Sequence, residues 1–223
     1  MYSIIKRFFD LLLSTICLLV LSPILIPVFI GLKFSGEGYI FYKQERVGFK
    51  NKHFHILKFA TMLKDSPNMA GGIFTSKKDP RFTPMGPFLR KSKINELPQL
   101  LNIWLGHMSF VGPRPVMPIS FAAYPEAVQK VIYNVKPGLT GIGSVVFRDE
   151  EELIAKKKEN GEDAWAFYEN ELYPFKGKLE HWYQSKQSFI LDLKLLIATA
   201  LVVLLPDIDV VGLFFRGVPK RNF

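Results

Sequence analysis

Residues 90–99 (RKSKINELPQ) combine three cations with one carboxylate, a set that could bind and transfer phosphate groups. Proline is tolerated in the first turn of a helix, so Pro98 predicts a helix that begins near Asn95, with Asn95 as its N-cap. Such a helix start offers free backbone N–H groups to a phosphate. Glu96 could there ligate a metal or carry a proton. A purely structural role, with Glu96 favourable to the helix dipole, explains the same residues.

Residues 112–115 (GPRP) place one arginine between two prolines. Both prolines restrict the backbone, so Arg114 would be presented at a low entropic cost. A guanidinium binds phosphate oxygens through two parallel hydrogen bonds, which makes a diphosphate clamp a plausible role for it. A proline-rich turn that carries a surface arginine is the alternative.

The overall charge points to anionic partners. The chain has 223 residues, with 29 Lys and Arg against 20 Asp and Glu, a formal charge of +9. This balance favours nucleic acid, phosphorylated metabolites or an anionic membrane face. No recognised nucleic-acid motif is found, so nucleic acid is not expected as a partner. The single cysteine, Cys17, excludes an intramolecular disulfide and a zinc site built from several cysteines.

Residues 11–32 contain no charged side chain and form a candidate membrane segment. About 20 apolar residues in a helix can cross a bilayer core. Ser22 and Pro23 lie at the midpoint, where proline kinks or breaks a helix. Basic residues flank both ends, which favours both ends on the cytoplasmic side. A helix that dips into the membrane and returns is therefore one interpretation, and a kinked spanning helix is the other.

Ten short motifs follow one another along nearly the whole chain. They are residues 6–10 (KRFFD), 22–23 (SP), 42–48 (YKQERVG), 58–62 (KFATM), 79–81 (DPR), 89–91 (LRK), 95–100 (NELPQL), 111–115 (VGPRP), 136–141 (KPGLTG) and 147–148 (FR). Each motif is weak by itself, but the ordered set is specific. With it the chain resembles the monotopic polyprenol-phosphate phosphoglycosyl transferases, the bacterial sugar transferases that begin capsule, O-antigen and glycoprotein glycan assembly.

The resemblance implies a reaction and its substrates. A sugar 1-phosphate would pass from a UDP-sugar to undecaprenyl phosphate, with release of UMP, at the cytoplasmic face of the bacterial inner membrane. Members use Mg²⁺ and form a covalent phospho-sugar intermediate on the Asp of an Asp-Glu dyad. Carried over, Asn95 stands at the nucleophile position and Glu96 is the remaining catalytic acid and metal ligand. The matching phosphate-binding and UDP-sugar-binding positions are Lys58, Arg90, Arg114 and Arg148.

The expected fold is a helix-dominated α+β structure with a small β-hairpin near residues 39–57 and interfacial helices. Residues 1–35 would form a re-entrant membrane helix broken at Ser22-Pro23, and residues 36–188 a catalytic domain on the cytoplasmic face. Residues 189–223 would form an amphipathic or apolar segment that packs on this domain or on the membrane. The chain resembles the small catalytic form of the family, which lacks a multi-span N-terminal region. A homo-oligomer is compatible with the sequence.

Two positions depart from the family pattern. Asn95 replaces the nucleophilic Asp, and a neutral amide is not a competent phosphoryl nucleophile. Ala60 stands where the family usually has Arg. Three interpretations stay open: Glu96 acts as nucleophile or transfer is direct; the chain is an inactive relative that serves as a membrane scaffold or UDP-sugar binder; or the asparagine was introduced to block turnover.

Overall fold

The computed structural model describes residues 2–66, 68–69, 79–205 and 208–223. Contacts divide the chain into two compact units. Unit 1 comprises Met1–Asp10, Glu45–Phe54 and Gly106–Phe223, and unit 2 comprises Leu11–Gln44 and His55–Leu105. The predicted functional division into residues 1–35, 36–188 and 189–223 stays a prediction.

Helices dominate the described residues, which confirms the predicted helix-rich class. They are α1 Tyr2–Phe34, α2 Gly86–Lys91, α3 Gln99–Trp104, α4 Pro118–Ala122, α5 Glu126–Gln129, α6 Ile142–Val146, α7 Glu150–Glu159, α8 Ala164–Phe167, α9 Tyr173–Ser185, α10 Phe189–Leu204 and α11 Val210–Phe214. Single turns of 3₁₀ helix lie at Phe49–Asn51 and Ile94–Glu96, and a π-helical turn lies at Tyr168–Leu172.

The strands form two small sheets. β1 Phe41–Val47 pairs with β2 His53–Phe59, which confirms the predicted hairpin. Lys50 and Asn51 adopt positive φ angles in the connecting turn. β3 Ser109–Val111 and β4 Gly138–Thr140 pair in parallel, with Ser109 opposite Gly138 and Val111 opposite Thr140. Helices α4 and α5 lie in the crossover between these strands, as parallel pairing requires a long connection.

Helix α1 is continuous through Ser22 and Pro23, so the predicted break is not seen as a helix end. Proline removes the N–H that would bond to the carbonyl of Leu19, four residues earlier. The hydroxyl of Ser22 donates to that same carbonyl at 2.7 Å and so replaces the missing donor. The Ser-Pro pair can therefore sit inside a helix without an orphaned carbonyl at Leu19. The re-entrant path stays a prediction.

Helix α1 also has the length and composition of a membrane helix. Its 33 residues include an 18-residue window with a mean hydropathy of 2.5, of which only 11% is buried in the protein. The core helix of a soluble protein would be mostly buried, so this exposure indicates membrane association.

The main core of unit 1 joins α6, α9 and α10 to strand β3. Ile142, Leu179, Leu195 and Ala198 are fully buried in it beside Val111. Each Leu, Ile or Val side chain buried in this way contributes about 1.5–3 kcal/mol relative to exposure. This core holds β3 and β4 in place and with them the segment that follows β3.

The amino-terminal end of α1 is tied to α10 within unit 1. The carboxylate of Asp192 accepts hydrogen bonds from Tyr2 Oη at 2.7 Å, Lys6 Nζ at 2.5 Å and Tyr183 Oη at 2.7 Å. These donors account for the single buried acid in an apolar helix, because a buried charge must be paired.

Unit 2 has its own smaller core. Val28 and Leu32 of α1 pack with Phe59 of β2 and Leu89 of α2. Asn102 of α3 also attaches that helix to β2. Its side chain accepts from the N–H of Leu57 and donates to the carbonyl of His55, both at 2.8 Å.

Candidate active site

Unit 2 brings together a carboxylate and a cation from the predicted set. Glu96 ends the 3₁₀ turn Ile94–Glu96, and Lys58 lies near the end of β2. Lys58 Nζ is 3.8 Å from Glu96 Oε1, and their side chains keep 17% and 27% of their exposure. The ion pair is long, and both side chains keep part of their surface accessible to solvent.

Arg90, from the last turn of α2, is a fixed cation of the same unit. Its Nε donates to Thr61 Oγ1 at 2.9 Å, and its guanidinium lies 5.0 Å from the centre of the Phe82 ring. Partial burial lowers the pKa of Arg90, while the charges of Asp79 and Glu96 act in the opposite direction. An arginine stays protonated under such shifts, so it supplies a positive charge of defined position.

Asn95 does not have the predicted N-cap role. The helix α3 begins at Gln99 with Pro98 before it, and the 3₁₀ turn that contains Asn95 is preceded by Lys93 in a left-handed conformation. Neither start has a side-chain cap. Asn95 is instead buried, and its Oδ1 has no hydrogen-bond partner among the described residues. A buried carbonyl oxygen without a hydrogen bond lowers the stability of the fold. Helix capping therefore does not explain why an asparagine occupies position 95.

Asp79 is already engaged by an arginine. Arg81 donates to its carboxylate through Nε at 2.9 Å and through Nη2 at 2.7 Å. These hydrogen bonds lower the pKa of Asp79 to about 2. Asp79 is thus a fixed anion whose oxygens bind its own neighbour, which leaves Glu96 as the better placed carboxylate for a substrate or metal.

The Mg²⁺ implied by the family resemblance fits this local chemistry. Mg²⁺ is usually held by one or two carboxylates together with substrate phosphates, and does not need a cage made only of protein. Glu96 provides a partly exposed carboxylate, and the neighbouring Oδ1 of Asn95 is an oxygen without a partner. No group of three His, Cys, Asp or Glu suited to a metal occurs within residues 2–66, 68–69, 79–205 and 208–223.

Unit 1 presents Arg114 on a segment whose backbone is held at every carbonyl from Pro113 to Val116. These carbonyls accept, in order, from Gly138 N at 2.9 Å, Tyr133 Oη at 2.8 Å, Arg46 Nη1 at 3.3 Å and Val47 N at 3.0 Å. The side chain of Arg114 is exposed and makes no hydrogen bond or ion pair within the described parts of the chain. A rigid backbone with an uncommitted guanidinium is what the sequence predicted for an anion clamp.

Glycines allow this segment to approach strand β4 closely. A Cβ on Gly138 would lie 2.1 Å from the amide nitrogen of Gly112, and one on Gly141 would lie 2.2 Å from the carbonyl oxygen of Gly112. Both distances are far inside van der Waals contact. The backbones of motifs 111–115 and 136–141 therefore pack directly against each other, and this close approach requires glycine at positions 138 and 141.

Tyr133 positions Arg114 through two hydrogen bonds on either side of Pro115. Its hydroxyl donates to the carbonyl of Arg114 at 2.8 Å and accepts from the N–H of Val116 at 3.0 Å. Tyr133 is itself fully buried in a cluster with Tyr124 and Tyr173. Burial and these two hydrogen bonds fix the hydroxyl against the backbone of Arg114 and Val116.

We predict that Tyr133→Phe lowers the rate of substrate turnover by about tenfold, or about 1.4 kcal/mol of transition-state stabilisation, because the Arg114 backbone loses its anchor. Two part-buried backbone groups would lose their partner, at up to about 1–3 kcal/mol of folding free energy. Steady-state kinetics and thermal unfolding would be measured together. Tyr124→Phe is the control, since the Tyr124 hydroxyl makes no described bond to residues 113–116. Equal kinetic effects of both variants would refute the positioning role.

Arg148 is exposed and donates to the carbonyl of Ile208 at 3.2 Å. The structure thus places Lys58, Arg90, Asn95 and Glu96 in unit 2, and Arg114 and Arg148 in unit 1. Within unit 1, the charge of Arg114 acts on Lys176 and contributes to the lowering of its pKa, for which burial is the larger cause. Lys176 Nζ donates to both oxygens of Glu150 at 2.8 Å.

Glu180 of α9 is a buried acid that the sequence did not single out. It accepts a hydrogen bond from the N–H of Gly143, while its Oε2 has no partner in the described chain. Burial raises its pKa from 4.5 to about 8, although the nearby charge of Lys176 opposes this shift. Glu180 is therefore protonated in the folded protein at neutral pH.

This raised pKa predicts a stability that falls as pH rises. The folded state holds the Glu180 proton between pH 4.5 and about 8, whereas the unfolded state releases it, so raising the pH over this window favours unfolding. The thermal midpoint in detergent should decrease from pH 5 to pH 8. Glu180→Gln should flatten this slope and gain on the order of a few kcal/mol at pH 8. A slope identical in parent and variant would contradict the assignment.

Three supporting residues were not predicted from the sequence: Thr61, Tyr133 and Glu180. Thr61 lies inside motif 58–62, whereas the sequence around Glu180 is mixed in polarity and belongs to none of the motifs. The lone tyrosine in the apolar pattern around residues 128–135 was the available signal for Tyr133. Its partner could not be read from spacing, because the contact joins positions 19 residues apart.

Comparison with known proteins links the chain to one family. The family model described as bacterial sugar transferase matches residues 1–206. An undecaprenyl-phosphate glucose phosphotransferase of Komagataeibacter xylinus is 38% identical over 157 residues, which cover 65% of this chain and 30% of that protein. The exopolysaccharide production protein ExoY of Sinorhizobium fredii is 38% identical over 162 residues, covering 66% of this chain and 71% of ExoY.

A third relative has a name that includes both substrates. The UDP-glucose:undecaprenyl-phosphate glucose-1-phosphate transferase of Escherichia coli is 33% identical over 162 residues, which cover 71% of this chain and 35% of that protein. The match thus spans about a third of the K. xylinus and E. coli proteins but most of ExoY.

Proposed function

Because the chain belongs to the bacterial sugar transferase family, we propose that it transfers a sugar 1-phosphate from a UDP-sugar to undecaprenyl phosphate. The names of the relatives support undecaprenyl phosphate as the acceptor, and the E. coli relative supports a UDP-sugar donor. The step would begin the assembly of a bacterial surface glycan on its lipid carrier.

The proposed reaction exchanges one phosphoanhydride for another. A bond forms between a phosphate oxygen of the lipid and the β-phosphorus of the donor. The bond from that phosphorus to the oxygen shared with the α-phosphate breaks, and UMP leaves. The product is a sugar linked to undecaprenol through a diphosphate. Such transfers need positioned positive charge more than covalent chemistry, which suits a chain of net charge +9.

The observation that carries the proposal is the partly exposed Glu96 carboxylate, 3.8 Å from Lys58 in the unit that also fixes Arg90. Glu96 would act as the nucleophile, or would orient a direct transfer between the two phosphates. Lys58 and Arg90 would neutralise phosphate oxygens as negative charge develops on the leaving UMP.

Glu96 and the Oδ1 of Asn95 would hold Mg²⁺ together with donor phosphate oxygens. Bound there, the ion would offset charge on the diphosphate and make the phosphorus more electrophilic. The residues of this chain then orient the donor so that the acid and the two cations meet it from fixed positions.

Arg114 and Arg148 are proposed to contact substrate phosphate groups. For Arg114, the support is its unpaired guanidinium on a fully bonded backbone segment. Arg148 is exposed, and within the described parts of the chain its side chain donates only to a backbone carbonyl, so it keeps further N–H donors for an anion.

The alternative is a catalytically impaired relative that acts as a membrane scaffold or binds UDP-sugars. Asn95 favours it, since the family nucleophile is absent and the amide is buried. Release of UMP from UDP-sugars separates the two functions. The purified chain would be assayed with undecaprenyl phosphate, Mg²⁺ and a panel of UDP-sugars. Acceptor-dependent UMP release supports the transferase; binding of a UDP-sugar without release supports the alternative.

The proposed location is the cytoplasmic face of the bacterial inner membrane. Helix α1 supplies an exposed apolar surface, and α10 carries an outward stripe of Ile190, Leu193, Ile197 and Leu204. These residues follow the three-to-four spacing of one helix face, as expected for a helix at a membrane surface.

We predict that both ends of α1 lie on the cytoplasmic side. Ser3→Cys and Lys43→Cys, each made in a Cys17→Ser background, would be treated in intact cells with a membrane-impermeant thiol reagent. Both positions are exposed, so a thiol at either one can react with the reagent. Because both are predicted to lie on the cytoplasmic side, labelling should occur only after the membrane is permeabilised. Strong labelling of Ser3→Cys in intact cells would show a spanning helix instead.

A further inference from the structure

Unit 1 contains a groove beside Arg114 to which the proposed chemistry has not yet assigned a ligand. It has a volume of about 570 Å³ and lies among β4, α6 and α10. This volume falls within the roughly 300–1,000 Å³ of ligand-binding pockets. We call it the α10 groove, and Arg114, Leu139, Thr140, Ser144, Leu196 and Val203 are among its lining residues.

The α10 groove has one charged end and apolar walls. Arg114 provides the only charge among its described lining residues, and its guanidinium makes no described hydrogen bond or ion pair. The Ser144 hydroxyl lies in the same lining and is likewise uncommitted. The walls are built from Phe110, Leu139 and Leu196. One anionic group followed by a hydrocarbon chain is the ligand that complements this arrangement.

The apolar wall continues onto an exposed surface. Val203 and Leu204 line the groove and are 76% and 73% exposed. Leu204 also belongs to the outward apolar stripe of α10. A hydrocarbon chain that leaves the groove at this end would therefore reach the surface proposed to contact the membrane. Val203 and Leu204, which line this end, are both apolar.

The size of the groove limits how much of a lipid it can hold. Pockets of about 300–1,000 Å³ hold drug-sized ligands, on the order of 20 non-hydrogen atoms. A phosphate with three isoprene units has that size. The remainder of a long polyprenyl chain would have to lie in the bilayer.

We propose that the α10 groove binds the phosphate and first isoprene units of the polyprenyl phosphate acceptor. This inference rests on the proposed function for the identity of the acceptor. Arg114 and Ser144 contact the phosphate, and Leu139, Leu196 and Val203 pack on the chain. Tyr133 then holds the backbone of Arg114, the residue that binds the lipid phosphate.

Photoaffinity labelling tests the groove without requiring turnover. The full chain in lipid nanodiscs would be irradiated with undecaprenyl phosphate that carries a diazirine in its first isoprene units, and the adducts would be mapped by mass spectrometry. We expect adducts in residues 196–204, and unlabelled undecaprenyl phosphate should suppress them. Phosphatidylglycerol or undecaprenol at the same concentration should not. Equal suppression by phosphatidylglycerol would overturn the proposal, because the occupant would then be an ordinary phospholipid.

Matched tryptophan substitutions on α10 sharpen this test. Ala200 lines the groove, so Ala200→Trp should fill it and lower labelling by about tenfold, the equivalent of about 1.4 kcal/mol of binding free energy. Leu193 is exposed on the same helix outside the lining, and Leu193→Trp should change labelling by less than about twofold. Circular dichroism would confirm that both variants fold. Adducts elsewhere, or labelling unaffected by Ala200→Trp, would overturn the proposal.

The outcome is separable from that of the proposed function. Groove labelling in a chain that releases no UMP would support the lipid site and contradict the transferase. UMP release by a chain whose adducts all lie outside the groove would support the transferase and overturn the lipid site.

Discussion

Glu96→Gln is expected to reduce sugar-phosphate transfer by at least about 100-fold, the loss typical of a removed catalytic acid, base or nucleophile. The amide keeps the shape of the side chain but cannot attack phosphorus and binds Mg²⁺ poorly. The fold should survive, because the Lys58–Glu96 pair is long and partly exposed and such pairs contribute about 0–1 kcal/mol. UMP release and thermal unfolding of the same preparation would be measured.

Glu126→Gln is the matched control for this experiment. Glu126 is highly exposed and pairs with Lys130 on a helix surface in unit 1, so its loss removes an ion pair without touching the candidate site. Transfer by this variant should equal that of the parent. Parental activity in Glu96→Gln would show that Glu96 is not a catalytic residue. Unfolding of Glu96→Gln, with Glu126→Gln still folded, would show that Glu96 has a structural role.

Asn95→Asp is expected to raise transfer by at least about tenfold, because a carboxylate is a competent phosphoryl nucleophile and an amide is not. The same change should lower stability. Asn95 is buried and its Oδ1 has no described partner, so a charge there would be poorly compensated at a cost of about 1–3 kcal/mol. Higher activity with lower stability would mark position 95 as a site residue whose carboxylate is costly to bury.

Asn95→Ala separates the new charge from the loss of the amide. It removes the unsatisfied oxygen without adding a nucleophile, so transfer should not rise above the parental rate. Mass spectrometry of the Asn95→Asp variant after brief exposure to donor should find a phospho-sugar adduct on the peptide that contains residue 95. A variant no faster than the parent, with no adduct in either, would argue against a covalent mechanism at this position.

The parts of the site that depend on short sequence segments could be predicted. The hairpin β1–β2 followed from two strand-like runs around a basic turn, and it carries Lys58 near its end. The constrained setting of Arg114 followed from its two prolines. Both features are set by backbone preferences that act over a few residues, which a sequence pattern records directly.

The start of the helix near Asn95 was wrongly predicted for a local reason. A single asparagine before Glu96 resembles a cap, but Pro98 is compatible with a helix start at Gln99 as well. The structure uses that later start and fits a separate 3₁₀ turn before it. The break at Ser22-Pro23 failed as a helix end because the serine hydroxyl replaces the donor that proline removes.

The groups that support the site depend on distant contacts and could not be predicted. Asp192 meets Tyr2 and Lys6 across more than 180 positions of sequence. The burial that raises the pKa of Glu180 is likewise created by packing between helices. No spacing rule relates such residues, because their partners are chosen by the tertiary fold.

Transfer of labelled phosphorus tests the central claim most directly. The chain would be incubated with undecaprenyl phosphate, Mg²⁺ and the UDP-sugar that gives the most UMP, labelled with radioactive phosphorus at either the β or the α position. Our account predicts that the β label enters the organic phase with the lipid and that the α label is released as UMP, which stays in the aqueous phase. Glu96→Gln should abolish both the transfer of the β label to the lipid and the release of the α label as UMP. Failure of the β label to reach the lipid with the parent chain, or sugar transfer accompanied by release of UDP, would contradict it.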